Sequence, residues 1–247
     1  MHNLGRTRSS QQHNHVLLTP DTFVRTTLPG MKACSAIVHA SPAMGARFTG
    51  YTAEFQSGGE LGPISAQRFV FVLEGELELE AAGKRSRLST RGFAYIPEGV
   101  THRISATKTS HGAVIEKHYS AHDSSPPPAL LISHEDEIPS HPLSDDPDLQ
   151  VKCLLPDTMS FDFAVNTMVY QPGAALSMVE MHIMEHGLLM LEGGGIYRLG
   201  DSWYPVTAGD FIWMAPWCPQ WFGAIGKTPA KYLIYKDWNR HPLAEPR

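Results

Sequence analysis

The chain has 247 residues, 42% of them hydrophobic and 18% charged, with a formal net charge of -5. That composition belongs to soluble globular proteins with core enough for one large domain or two ordinary ones, and it lacks the basic run on which a nucleic acid would settle. No stretch approaches the roughly 20 apolar residues of a membrane-spanning helix, so a membrane partner is not expected either.

The opening, Met1-His2-Asn3-Leu4-Gly5-Arg6-Thr7-Arg8, runs on into polar Gln11, Gln12 and Asn14 and has no apolar signal-peptide core. Three widely spaced cysteines, Cys34, Cys153 and Cys218, read as free thiols, which makes the cytoplasm the expected location. Histidines of the terminal and linker-like stretches, His13 and His15 among them, are expected to be solvated.

The first patterned segment is Phe69-Val70-Phe71-Val72-Leu73-Glu74-Gly75. The alternation Glu76-Leu77-Glu78-Leu79-Glu80 follows, then Gly92-Phe93-Ala94-Tyr95-Ile96-Pro97. β-Branched and aromatic residues, a period of two and glycine or proline punctuation predict short strands. Further along, between residues 122 and 148, come Ser124-Ser125-Pro126-Pro127-Pro128, Glu135-Asp136-Glu137 and Asp145-Asp146-Pro147-Asp148. Proline removes backbone donors and clustered charge favours water, so this stretch reads as a connector or surface arm. Beyond it the first pattern returns. Leu189-Met190-Leu191-Glu192-Gly193 matches Phe71-Val72-Leu73-Glu74-Gly75, followed by Ile196-Tyr197-Arg198-Leu199 and by Gly209-Asp210-Phe211-Ile212-Trp213-Met214. An internal repeat of this size predicts two similar all-β units, sandwich or barrel, with no long helix between them. The expected division is a first unit over 1–121 that includes the N-terminal arm, a connector over 122–148, and a second unit over 149–247.

The second copy carries the chemistry. Glu180, His182 and His186 are all even-numbered, so an extended strand would present them on one face, with Met178 and Met184 as an apolar collar. A helix would set Glu180 and His182 about 200° apart. His182-Ile183-Met184-Glu185-His186 also matches the H-x-x-E-H pattern of inverted zinc proteases, but that chemistry needs a helix. Here Pro172-Gly173, Gly187 and Gly193-Gly194-Gly195 hem the segment in. On a strand Glu185 faces away from the histidines. Gln220 stands where the first copy has His102, while Gly62, Ile64 and Arg68 stand where the second has Glu180, His182 and His186. The first unit is therefore expected to be structural. A Glu, His, His and Gln set without a thiolate suits manganese or iron better than a structural zinc, and leaves coordination positions open for substrate or water. Cys218 is expected to pack rather than to ligate.

The glycine spacing, the prolines after Gly92 and Gly209 and the duplicated strands resemble the cupin superfamily in its two-domain form. The resemblance to the (S)-ureidoglycine aminohydrolase family runs nearly end to end. It takes in Leu17-Leu18-Thr19-Pro20-Asp21, Leu28-Pro29-Gly30, Glu180-x-His182 with His186-Gly187, and Lys236-Asp237 with Asn239-Arg240. It implies two tandem cupin barrels. It also implies manganese held by Glu180, His182, His186 and Gln220, with other divalent ions possible, and a pocket using Tyr197, Tyr232 and Lys236. The implied reaction is hydrolysis of a small-molecule substrate, (S)-ureidoglycine, to (S)-ureidoglycolate and ammonia in purine and allantoin breakdown, by a homo-oligomer. Lys236 and Tyr232 would manage the proton and the leaving amine with Glu180 beside the metal, and Tyr197 would bind the substrate. Another metal-dependent cupin, a dioxygenase or isomerase, and a non-catalytic metabolite binder are the alternative readings. Tyr235, Trp217, Trp221 and Trp238 are bulkier than expected near the pocket.

Overall fold

A computed structural model describes residues 7–241; the opening tract 1–6, on which part of the leader reading rests, lies outside them. Among the described residues the helices are three single 3-10 turns, and everything else regular is antiparallel strand. The period-two expectation is met residue by residue in Glu76–Ala81, where Leu77, Leu79 and Ala81 are buried. Its glutamates take arginines instead: Glu76 pairs with Arg87, and Glu78 and Glu80 with Arg85. No described helix is long and apolar enough to cross a membrane.

The chain divides into two units. In the first, Val24–Ile138, the strand Gln67–Glu74 lies between Gly92–Ile96 and Ser110–Lys117. Its core is built from residues such as Ala53, Phe55, Val70, Leu79 and Ile104. In the second unit, His186–Glu192 lies in the same way between Phe211–Met214 and Ala230–Asp237. The sheet continues through Phe163–Tyr170, Asp146–Cys153 and His141–Leu143. A smaller sheet of Ser202–Thr207, Gly194–Leu199 and Gln220–Ala224 shares one core with it, through Tyr197, Leu199 and Phe222 on one side and Leu188, Ile212 and Ile234 on the other. His102–Ser105 pairs with Glu76–Ala81 as Gln220–Ala224 pairs with Gly194–Leu199. The repeat is thus a repeat of whole barrels.

Two sequence expectations change. The arm grouped with the first half joins the second unit instead, because His15–Leu18 adds to the edge of the large sheet beside Phe211–Met214. Leu17 is fully buried in the second core. The Arg8 guanidinium holds the buried Asp210 carboxylate in a two-pronged contact of 2.5 and 2.8 Å. His15 is buried rather than solvated, between Asn14 Oδ1 and the Tyr204 hydroxyl at 2.9 Å each.

The stretch read as a connector is also more ordered than its composition suggests. Leu131–His134 pairs with Gly92–Ile96, and Arg91 takes the Asp136 carboxylate at 2.7 Å. The acidic tract beyond is a hairpin: Ser144 and Asp145 have φ of 52° and 61°, the left-handed pair that lets His141–Leu143 fold back on Asp146–Cys153. Such turns favour small polar residues, which accounts for Ser144 and Asp145 at its tip.

If the arm is part of the second core, Leu17→Ala should destabilise that unit by about 3 kcal/mol, the usual cost of emptying a buried leucine site. The denaturation midpoint of the second unit reads this directly; a change below about 0.5 kcal/mol, typical of a surface site, would remove the arm from the core.

Candidate active site

His186 is the first residue of its strand. Leu188 and Met190, which follow it on the same face, are buried in the second core, so its side chain opens into the barrel. Across the sheet it is level with Met214 on one side and Lys236 on the other, and Lys236 is level with Ala164. Gln220 opens its own strand on the smaller sheet. Glu180 reaches Gln220 through a two-way backbone bridge, Glu180 N–H to Gln220 O at 2.8 Å and Gln220 N–H to Glu180 O at 2.9 Å.

Glu180, His182 and His186 are therefore not three teeth of one strand, as the parity argument supposed. Glu180 is tied to the small sheet, the chain bends at Ile183, and only His186 lies on the large sheet. The segment crosses from one sheet to the other, and the crossing brings the side chains together. Met178 is 67% exposed and does not collar the site; Met184 is half-buried.

His182 Nε2 lies 3.2 Å from His186 Nε2 and 2.9 Å from the Gln220 side-chain nitrogen, with a Glu180 carboxylate oxygen 4.0 Å away. Burial lowers both imidazoles, His186 well below the usual range, and Lys236 pushes the same way on each. His186 Nδ1 faces the Tyr235 carbonyl at 3.3 Å, so Nδ1 carries the proton and Nε2 keeps its lone pair. Among the described residues no three His, Cys, Asp or Glu side chains form a closed metal cluster by themselves. What converges is two neutral imidazole nitrogens, one amide and one nearby carboxylate. Lone pairs this close repel unless a proton or a cation lies between them.

The other expected residues surround this point. The Tyr197 hydroxyl donates to Gln220 Oε1 at 3.4 Å, so it steadies the amide directly. Tyr232 is buried with its hydroxyl 2.6 Å from that of Tyr170, a partner no sequence motif announced. Burial pushes all three phenols up. It pushes the half-buried Lys236 ammonium down, with Glu180 partly offsetting. Asn166, one row deeper than Lys236, has a buried Oδ1 with no hydrogen-bond partner; an unmatched acceptor costs about 1–3 kcal/mol.

The bulky residues do not fill the pocket. Trp221 donates its indole N–H to Leu176 O at 2.7 Å and so fastens the crossing segment, and Trp238 donates to Asp157 at 2.8 Å. Trp217 stands 56% exposed, its backbone in the left-handed region at φ 65° and its N–H given to His182 O at 2.7 Å. Tyr235 and Glu185 lie on the opposite face from His186 and Lys236, where Glu185 accepts the Trp213 indole N–H at 3.2 Å. Cys218 is buried in the core.

The first unit shows what the scaffold does without the ligand set. Arg68 is level with Glu116 there, as His186 is level with Lys236 in the second unit. The Arg68 guanidinium reaches Glu116 at 2.7 Å, Gly62 O at 2.7 Å and His102 Nε2 at 2.7 Å, while Tyr51 donates to Glu116 at 2.7 Å. His102 turns its other nitrogen to Val100 O, also at 2.7 Å. A fixed cation fills the place, satisfied on all sides.

The cupin domain family model matches residues 52–116 and 166–235, one stretch in each unit. The chain belongs to the cupin family. Within it, the chain is 39% identical over 244 residues to the (S)-ureidoglycine aminohydrolase of Arabidopsis thaliana, covering 97% of this chain and 80% of that one. It is 30% identical over 234 residues to the (S)-ureidoglycine aminohydrolase of Escherichia coli strain K12, covering 92% and 89%. The crystal structure of the protein Ylba from E. coli superposes with a TM-score of 0.84 at 28% identity, covering 96% of each chain. Its particular family is thus that of the (S)-ureidoglycine aminohydrolases.

Two outcomes follow from these environments. Arg68→Ala should cost about 3 kcal/mol, because it empties a buried guanidinium site and leaves the half-buried Glu116 carboxylate and His102 without their partner, whereas replacing Arg68 and Glu116 together by apolar residues should recover much of that in a double-mutant cycle. The lowered imidazoles at 182 and 186 give pH dependence of known sign. The unfolded chain takes up protons from about pH 6.5 downward while the folded imidazoles resist, so stability is complete above that value and declines as pH falls. Thermal melts of the metal-free protein should show this decline, flattened in His186→Asn.

Proposed function

We propose that this chain is a manganese-dependent (S)-ureidoglycine aminohydrolase, releasing ammonia and (S)-ureidoglycolate in purine breakdown. The observation that carries the reading is the convergence of His182 Nε2, His186 Nε2 and the Gln220 amide beside Glu180, in a barrel whose relatives bear that name. The donor set fits a borderline-hard divalent ion: two neutral imidazoles with free lone pairs, an amide, a carboxylate and no thiolate. His182, His186, Gln220 and Glu180 would hold it. When bound, manganese supplies a Lewis acid that orients the substrate carboxylate and polarises the bonds at the α-carbon.

The chain's own residues do the rest. To hold the ion through its oxygen, Gln220 would turn its amide over, which leaves its N–H for the Tyr197 oxygen. Lys236, its ammonium lowered by burial and level with His186, surrenders a proton more readily than a free lysine, which makes it the donor to the departing amine. Tyr232, its phenol raised and tied to Tyr170, stays protonated and holds the substrate by hydrogen bonding instead of acting as a base. Glu180, the least enclosed of the set, is placed to accept a proton from the water that adds. The apolar wall of Leu188, Ile234 and Met190 keeps bulk water from the reacting carbon.

Metal-stripped protein given (S)-ureidoglycine should release ammonia rapidly only after manganese is restored, with chirally pure (S)-ureidoglycolate as product. Retention of metal with no acceleration over spontaneous decay would retire the substrate reading. His182→Ala should lose metal and turnover together. Lys236→Met should keep its metal and lose about 10²–10⁴-fold in turnover, the usual range for a positioned acid or base; wild-type turnover in that variant would end the proton-donor assignment.

A further inference from the structure

Inside the second barrel the large sheet presents its side chains in rows. The row at the site is Met214, His186, Lys236 and Ala164; the next row inward is Ile212, Leu188, Ile234, Asn166 and Cys153. Asn166 is the one amide in a row of aliphatic and sulfur side chains, and it is 7% exposed. Its Oδ1 has no hydrogen-bond partner among the described residues. Its row neighbours Ile234 and Leu188 and the next residue on its own face, Met168, carry no N–H or O–H, and the Cys153 thiol on the adjoining strand is a weak donor that leaves the Asn166 oxygen unmatched. Lys236 is its diagonal neighbour on the same face, and the intervening position on its own strand is the small Ala164. Diagonal neighbours lie roughly 7–8 Å apart, the span of a small substrate group placed between them.

We infer that Asn166 is a substrate-recognition residue, its Oδ1 accepting an N–H from the ureido group of the substrate and its Nδ2 donating to the ureido carbonyl. The inference rests on the ureidoglycine reading above and adds to it the residue that reads the ureido end. An amide is the side chain whose donor and acceptor match a ureido group edge to edge. A buried acceptor without a partner disfavours the empty site and penalises any ligand that cannot supply the N–H, which turns the orphan into a selector. The charged groups at the mouth, Glu180 and Lys236, leave the carboxylate and amine ends of the substrate to that side and the neutral ureido end to this one.

The test compares manganese-loaded wild type with Asn166→Leu, a near-isosteric change that removes both polar atoms. Binding of (S)-ureidoglycolate and of glycolate, which lacks the ureido group, is measured by calorimetry. Wild type should prefer ureidoglycolate by at least about tenfold, and the variant should lose that preference while keeping its manganese content and its glycolate affinity. KM for (S)-ureidoglycine should rise about 10–100-fold with kcat changed far less, and the melting temperature should not fall, since an unmatched polar atom has been removed. Asn166→Ala, which adds no bulk, should behave alike and so excludes a steric cause. A variant that keeps the ureido preference of an active wild type overturns the inference and leaves the function standing. A wild type that neither prefers the ureido acid nor turns over ureidoglycine overturns both.

Discussion

Two imidazole nitrogens 3.2 Å apart, on rings that burial holds toward the neutral form, are the constraint around which the second barrel is arranged. Apolar walls disfavour the charged imidazolium, and Lys236 on the adjoining strand opposes it further. The Tyr235 carbonyl fixes the tautomer, the Tyr197 hydroxyl fixes the amide, and the Trp217 backbone N–H fixes the carbonyl of His182. Each of these contacts makes sense as support for a pair of lone pairs aimed at one point.

The two units pose the same geometric problem and solve it differently. Where the second has His186 beside Lys236, the first has Arg68 beside Glu116, a pair of opposite charges that closes on itself and on His102. The second unit has no such closed pair: His186 and Lys236 leave the imidazole, amide and carboxylate donors of the site open toward one another. Duplication supplied the barrel, and the identity of two facing residues decided which copy could be chemical.

Much of this was legible in the sequence. The repeat around Leu73-Glu74-Gly75 and Leu191-Glu192-Gly193 gave the barrels. The alignment of Arg68 with His186 and of His102 with Gln220 placed four residues at equivalent positions, as the strand registers do. The parity argument named side chains that do converge, but by the wrong route, because it assumed one strand where the chain crosses between two sheets at Ile183. Tyr170 and Asn166 carried no local signal. Their positions come from which strand lies beside Ala230–Asp237, a long-range pairing that periodicity does not contain. Composition placed the acidic tract on the surface, where it is, but did not show that Ser144 and Asp145 form the left-handed turn of a hairpin there.

The strand that edges the catalytic barrel, His15–Leu18, is made before the whole of the first unit, and its partner Phe211–Met214 comes only near the end of synthesis. The first unit is continuous in sequence and has all its pairings available by Ile138, so it can fold on its own schedule. The second must close a loop of nearly two hundred residues to seat its edge, and contacts of that range form late. The strand that completes this edge therefore lies in the same chain, separated from its partner by the first unit in sequence, so closing the barrel there is an intramolecular step of long range.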